Sequence, residues 1–266
     1  MNEVFSFGSY YPGDSPLHKC DARTKLTLGF VFLIVALMAQ GFAGLGVIAV
    51  FVAFLYAVSR IPFGKAMRSL APLMAIALIC ALLNLFVDQS GETLFKWGII
   101  EISTGSVHSC LFVGCRIILM MMGMSLITMT TTTLDLTAAV EQMLHPFARF
   151  GVPAHELGMI MGIALRFMPQ FANELAVVYH AQVSRGARLS NSPARGVHML
   201  TSLMVPLFTS VFRHAETLSA AMDARCYHGG EGRAHLHPLR FAPRDGAAAA
   251  FMAVLAGCVA AIGYLL

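Results

Sequence analysis

LTLGFVFLIVALMAQGFAGLGVIAVFVAFLYAV, residues 26–58, decides the fold class. A bilayer core about 30 Å thick is crossed by about 20 apolar residues at 1.5 Å rise each. The stretch is too long for one crossing, and the small and polar residues from Gln40 to Gly46 offer a turn, so it reads as two tightly connected spans. Outward from it, three more apolar runs follow: about Leu70 to Val87, broken only by Pro72, Cys80 and Asn84; about Val107 to Thr130, with Arg116 inside it; and Gly246 to Leu266. Composition agrees: 57% of the 266 residues are apolar and 12% are charged, against about 25% charged in a soluble domain.

Basic residues are placed unevenly. Lys19, Arg23 and Lys25 precede the first run, and Arg60, Lys65 and Arg68 lie between the second and third. Arg149, Arg166, Arg185, Arg188, Arg195, Arg213, Arg225, Arg233, Arg240 and Arg244 fall between Thr133 and Asp245. The other side holds Lys96 beside Asp88, Glu92 and Glu101. Lysine and arginine in short loops mark the cytoplasmic side, so five spans place the N-terminus and Thr133–Asp245 in the cytoplasm. The polar, Gly- and Pro-bearing start lacks the basic region and apolar core of a cleaved leader, so the first run is expected to stay in the mature protein. Arg116 has two readings: a charge within a span marks function, or it snorkels toward an interface.

Cys20, Cys80, Cys110, Cys115, Cys226 and Cys258 form no CxxC pair, which speaks for neither a disulfide framework nor a zinc site. They read as small apolar residues. No GxxxxGK[ST] phosphate loop occurs, so the chain does not hydrolyse ATP by that route.

The segment Thr133–Asp245 reads as helices: Leu134 to Phe150, ended by Gly151-Val152-Pro153; about Ala154 to Ser184, kinked at Pro169; and about Pro193 to Arg225, interrupted at Pro206. In the last of these, Leu207, Phe208, Val211, Phe212, Ala215, Leu218, Ala221 and Met222 share a face, opposite Thr209, Ser210, Arg213, Glu216, Thr217 and Asp223. Phe171, Leu175, Val178 and Tyr179 form a similar stripe in the second helix. Such stripes suit a membrane interface or a partner's groove. The 17 methionines, several of them here, suit adaptable surfaces or simple filling.

Two of these helices end alike, in Ser184-Arg185-Gly186 and in Ala224-Arg225-Cys226. An arginine at a helix C-terminus complements the dipole. Small residues on either side also let a planar guanidinium approach a partner and make forked contacts. A literal Ala194-Arg195-Gly196 follows Pro193 at a helix start, where it reads as a decoy, although it competes with Arg185 as the first motif.

The paired motifs resemble the Ala-Arg-Gly signature of the transmembrane T component of energy-coupling factor (ECF) transporters, the EcfT/CbiQ-like family. The likeness extends to Tyr11-Pro12-Gly13-Asp14-Ser15-Pro16-Leu17-His18, Asp21-Ala22-Arg23-Thr24-Lys25-Leu26, Ala164-Leu165-Arg166-Phe167-Met168-Pro169, Pro206-Leu207-Phe208 and Gly229-Gly230-Glu231-Gly232-Arg233. Ser184 stands in place of alanine, Cys226 in place of glycine and Ala22 in place of a usual proline. The resemblance implies an all-α membrane protein with about five transmembrane helices and a cytoplasmic coupling domain between the fourth and fifth. Its divisions would be 1–132, 133–245 and 246–266. It implies a non-catalytic subunit of a bacterial or archaeal cell membrane, without a cofactor of its own, the ATP being held by partners. Those partners would be two ABC ATPases, met by Arg185 and Arg225, and a membrane-embedded substrate-binding S component for vitamins or metal ions. Phe171, Leu175, Leu207, Phe208, Val211 and Phe212 are the candidates to face the S component, and no nucleic acid is expected. The competing reading is a stand-alone permease, or a metal transporter using His228, His235 and His237.

Overall fold

The computed structural model describes residues 10–87, 93–97, 100–151, 153–186, 193–229 and 241–265. Two compact units divide the described residues, one within 10–139 and 241–265, the other within 140–229.

The first unit is a helical bundle. It holds α1 (Ala22–Met38), α2 (Gly41–Ser59), α3 (Phe63–Val87), α4 (Thr104–Thr130) and α8 (Pro243–Leu265), with a hairpin of β1 (Thr93–Trp97) and β2 (Ile100–Ser103) between α3 and α4. Among the described residues four helices, α2, α3, α4 and α8, are long and apolar enough to cross a membrane. α1, the first of the expected five spans, has 17 residues and carries Arg23 and Lys25 in its first turn, so the number shown by length and composition is four. The turn between α1 and α2 falls at Ala39–Gln40, and Gly41 opens α2 with φ +67°. α3 begins at Phe63, well before its apolar run, because Pro62 starts it: the Pro62 carbonyl accepts the Lys65 N–H at 2.9 Å. The hairpin was not foreseen. It is antiparallel, Lys96 opposing Glu101 and Trp97 opposing Ile100.

Local chemistry sets the ends. Asp21 caps α1, its carboxylate accepting the Arg23 N–H at 2.9 Å. Ser103 and Ser106 cap α4 reciprocally. Within the bundle Phe32 stacks on Phe51, and Phe51 on Phe251, at 6.2 and 5.0 Å between ring centres. Such pairs add about 0.5–1.5 kcal/mol each beyond the area they bury. Apolar helices in lipid gain little from hydrophobic burial and associate through close packing at small residues. α1 and α4 do this at Gly29 and Gly123: a Cβ on Gly29 would collide with Ile127, and one on Gly123 with the Phe32 ring. Gly123→Leu is therefore expected to cost roughly 2–3 kcal/mol through overpacking, read as a lowered melting temperature in detergent. Gly46→Leu, at a site with open space around it, should leave melting unchanged.

One end of this unit is polar and tied together. Asp245, 4% exposed, accepts the Asp21 N–H at 2.9 Å and the Ala242 N–H at 2.8 Å, joining the starts of α1 and α8. Lys25 reaches the Thr130 carbonyl at the end of α4. Tyr11 N–H donates to the Met129 carbonyl at 2.9 Å, and the Lys65 ammonium stands 4.5 Å from the Tyr11 ring centre. The N-terminal basic cluster and the Arg60–Arg68 loop thus meet at one end of the bundle.

Arg116 acquires a structural reading. It donates to the Ala39 carbonyl at the end of α1 and lies 4.5 Å from the Phe112 ring centre. A carbonyl at the end of a helix has no partner within that helix, and Arg116 supplies the donor for Ala39.

Candidate functional site

The second unit contains the last turn of α5 (Thr133–Leu144), a 3-10 turn (His145–Phe150), α6 (Ala154–Ser184) and α7 (Pro193–Asp223). The single helix expected over Leu134–Phe150 is instead divided. Pro146 disfavours the helical conformation at His145, and the chain tightens there.

α6 and α7 run antiparallel, as their cross-contacts show. Gln182 Nε2 donates to the Ser202 carbonyl at 3.4 Å, Ser210 Oγ donates to Glu174 Oε2 at 2.7 Å, and Gln170 Nε2 donates to His214 Nε2 at 2.6 Å. The His214 ring resolves its own tautomer. Nδ1–H donates to the Ser210 carbonyl at 2.8 Å, leaving Nε2 to accept from Gln170. Phe167 and Phe171 stack at 5.8 Å and meet that ring edge-on at 6.2 and 6.1 Å.

These contacts correct the sequence reading of α7. Ser210, assigned to the polar face, points at α6, while Phe208 and Phe212 are 56% and 66% exposed. The stripe splits: Leu207, Val211, Leu218 and Met222 are half-buried, and the two phenylalanines stand out. Among the six residues proposed to face a partner, Phe171 is engaged between the helices, Leu175, Leu207 and Val211 are half-buried, and Phe208 and Phe212 are free.

Both arginine motifs are helix C-caps followed by a residue in the left-handed region. At the end of α7 the Tyr227 N–H donates to the Met222 carbonyl and the Cys226 N–H to the Asp223 carbonyl, at 3.1 and 3.0 Å. That is the Schellman pattern, with Arg225 at the cap and Cys226 just past it, at φ +54°. At the end of α6, Arg185 is the cap and Gly186, at φ +89°, donates to the Val183 carbonyl at 3.0 Å. The third motif position is thus fixed by backbone conformation rather than by crowding. A Cβ on Gly186 would meet nothing within 4 Å, but the left-handed region penalises any side chain. Cys226 carries that strain. Cys226→Gly relieves roughly 1–2 kcal/mol of it and returns about 0.5–1 kcal/mol as unfolded-state freedom. The expected net is a melting temperature raised by roughly 1–3 °C, whereas Cys226→Val should lower it.

All six motif residues are exposed, and among the described residues neither the Arg185 nor the Arg225 guanidinium has an ion-pair partner. Because α6 and α7 are antiparallel, the two caps lie at opposite ends of the pair. At 1.5 Å per residue Arg185 is roughly 16 Å beyond Glu174 and Arg225 roughly 22 Å beyond Ser210. Arg195 lies in the first turn of α7. His228 lines a recess with Arg225, Met159 and Met222, while His235 and His237 lie outside the described residues.

Glu174 is held below the usual carboxylate range, mainly by the Ser210 hydroxyl, and also by the Gln170 amide. A depressed carboxyl stabilises the folded chain above its unfolded pKa, and that contribution fades as pH falls through the folded value. Glu174→Gln should therefore flatten the acid limb of a melting-temperature profile and leave its neutral part less changed.

A polytopic helical membrane protein, with a separate antiparallel helix pair whose ends present exposed arginine caps, is the class these features define. A family profile described as "CbiQ: Cobalt transport protein" matches residues 13–236. Curated relatives named "Energy-coupling factor transporter transmembrane protein EcfT" are similar over nearly the whole length. That of Clostridium kluyveri is 36% identical, covering 92% of both chains. That of Acidaminococcus fermentans is 38% identical over 90% of both, and that of Bacillus subtilis 33% identical over 96% of this chain and 97% of its own. The chain belongs to this CbiQ/EcfT family, a multi-pass, energy-coupling transmembrane component of ECF transporters and not an enzyme.

Proposed function

We propose that the chain links ATP hydrolysis by two partner ABC ATPases to reorientation of a membrane-embedded S component, for uptake of a vitamin or a metal ion. Ser184-Arg185-Gly186 would meet one ATPase and Ala224-Arg225-Cys226 the other. Exposed Phe208 and Phe212 would face the S component. The observation that carries this reading is the pair of exposed arginine caps at opposite ends of one antiparallel helix pair. Two separated cations, each at a helix C-cap followed by a left-handed residue, suit two similar partners better than one. ATP would be bound by those partners, and the chain itself would need no cofactor.

The same reading puts α1 in the membrane as a fifth span and the basic end of the bundle in the cytoplasm. Support comes from the meeting of Lys25, Lys65 and the N-terminal segment at that end. Orientation is tested with Thr217→Cys, at an exposed position on α7, in a chain whose native cysteines are replaced. A membrane-impermeant thiol reagent should label it in inside-out vesicles and spare it in right-side-out ones; the reverse pattern would end the proposal. Co-purification in mild detergent separates it from a permease that works alone, which would emerge without ATPases.

A further inference from the structure

The two long helices of the second unit are each weakened by proline near their contact, Pro169 in α6 and Pro206 in α7. Proline removes the N–H that would bond the carbonyl four residues back and invites a bend. In α7 that carbonyl belongs to Ser202, and it is not left idle: Gln182 of α6 donates to it at 3.4 Å. Two turns along, the Glu174 carboxylate collects the Ser210 hydroxyl at 2.7 Å and the Gln170 amide at 3.2 Å. Gln170 in turn holds His214. Three hydrogen bonds of this network and two ring contacts to His214 pass between the two helices. Charge-assisted bonds such as those to Glu174 are the strong ones.

We propose that Gln170, Glu174, Ser210 and His214, with the Gln182–Ser202 bond, form a clamp that fixes the α6–α7 crossing, so that the two arginine caps move as one body. These are positioning residues: none needs to touch an ATPase. The proposal rests on the function inferred above. Two proline-weakened helices joined by apolar contact alone would let a displacement at Arg185 dissipate before reaching Arg225. Chains of packed side chains and hydrogen bonds carry coupling between distant sites, and the network lies between the caps.

The test uses the full transporter complex in lipid nanodiscs, with the native cysteines replaced and spin labels on His180→Cys and Thr217→Cys, both exposed and outside the motifs. Pulsed electron paramagnetic resonance should give a narrow distance distribution that broadens at least twofold in Glu174→Ala and in the milder Ser210→Ala. ATPase co-purification should stay unchanged while uptake per ATP hydrolysed falls about tenfold, within the usual range of coupling between sites. An exchanged pair, Glu174→Ser with Ser210→Glu, should restore both readings. An unaltered distance distribution in both single variants overturns the clamp. That failure is distinct from failure of the functional reading, which would show as ATPases absent from the unmodified complex.

Discussion

Arg185→Glu combined with Arg225→Glu is expected to yield a membrane protein that inserts and melts normally, purifies without ATPases and supports no uptake. The caps are exposed, and among the described residues their guanidinium groups serve no internal partner, so their reversal removes little from the fold. Glutamate at a helix C-terminus opposes the dipole by only about 0.3–1 kcal/mol. The Schellman bonds involve backbone groups and survive the change. At an interface the balance is different. Losing one partner of a buried charged contact costs roughly 2–5 kcal/mol. Two reversals should therefore weaken assembly by at least roughly a thousandfold. Each single variant should release one site and leave the other, giving partial co-purification. Arg→Lys at the same positions keeps the charge but loses the planar fork, and should fall between. Arg195→Glu is the informative companion. In the first turn of α7 an acidic residue suits the dipole, so that variant should assemble and transport. Full retention of ATPases by the double variant, measured by quantitative pull-down, would remove the basis of the proposed function.

The sequence exposed those arginines because helix ends leave local marks. Gly186 follows Arg185, and α6 stops where Gly186 turns left-handed. Apolar runs likewise marked α2, α4 and α8 to within a few residues, since a bilayer demands length and apolarity of each segment separately. What stayed hidden depends on neighbours distant in sequence. Ser210 looked solvent-facing because periodicity counts it as polar, yet Glu174 on another helix takes its hydroxyl. Arg116 looked anomalous until Ala39 supplied a carbonyl. The β1–β2 hairpin offered short strands and no apolar alternation strong enough to separate it from a loop. The reason for the small third motif residue was also missed: size suggested close approach, whereas the φ angles of Gly186 and Cys226 show a backbone requirement.

Lys25→Met is expected to be among the most destabilising single substitutions in the membrane bundle. Lys25 is 8% exposed, and its ammonium donates to the Thr130 carbonyl at 3.0 Å and to Thr131 Oγ1 and the His18 carbonyl at 3.3 Å each. Methionine keeps the length and apolar stem, so the change isolates the charge. Removing a buried ammonium also removes its desolvation cost, and apolar replacement of buried charges is sometimes neutral for that reason. Here the acceptors decide otherwise. The Thr130 carbonyl ends α4 and has no helical partner, the His18 carbonyl is fixed by the turn from Ser15 to Cys20, and neither can rotate toward water. Each acceptor left buried without a donor costs about 1–3 kcal/mol, so the two carbonyls outweigh the relief, with a net loss of roughly 2–3 kcal/mol. The damage should appear first in the N-terminal segment, which Lys25 ties to the end of α4 alongside the Tyr11–Met129 bond. Trypsin should then cut faster after Lys19, whose side chain is already half exposed, before the bundle itself melts. Equal tryptic rates and equal melting in Lys25→Met would mean that the buried ammonium does not hold this end of the bundle, and that Asp245, bridging the starts of α1 and α8, suffices alone.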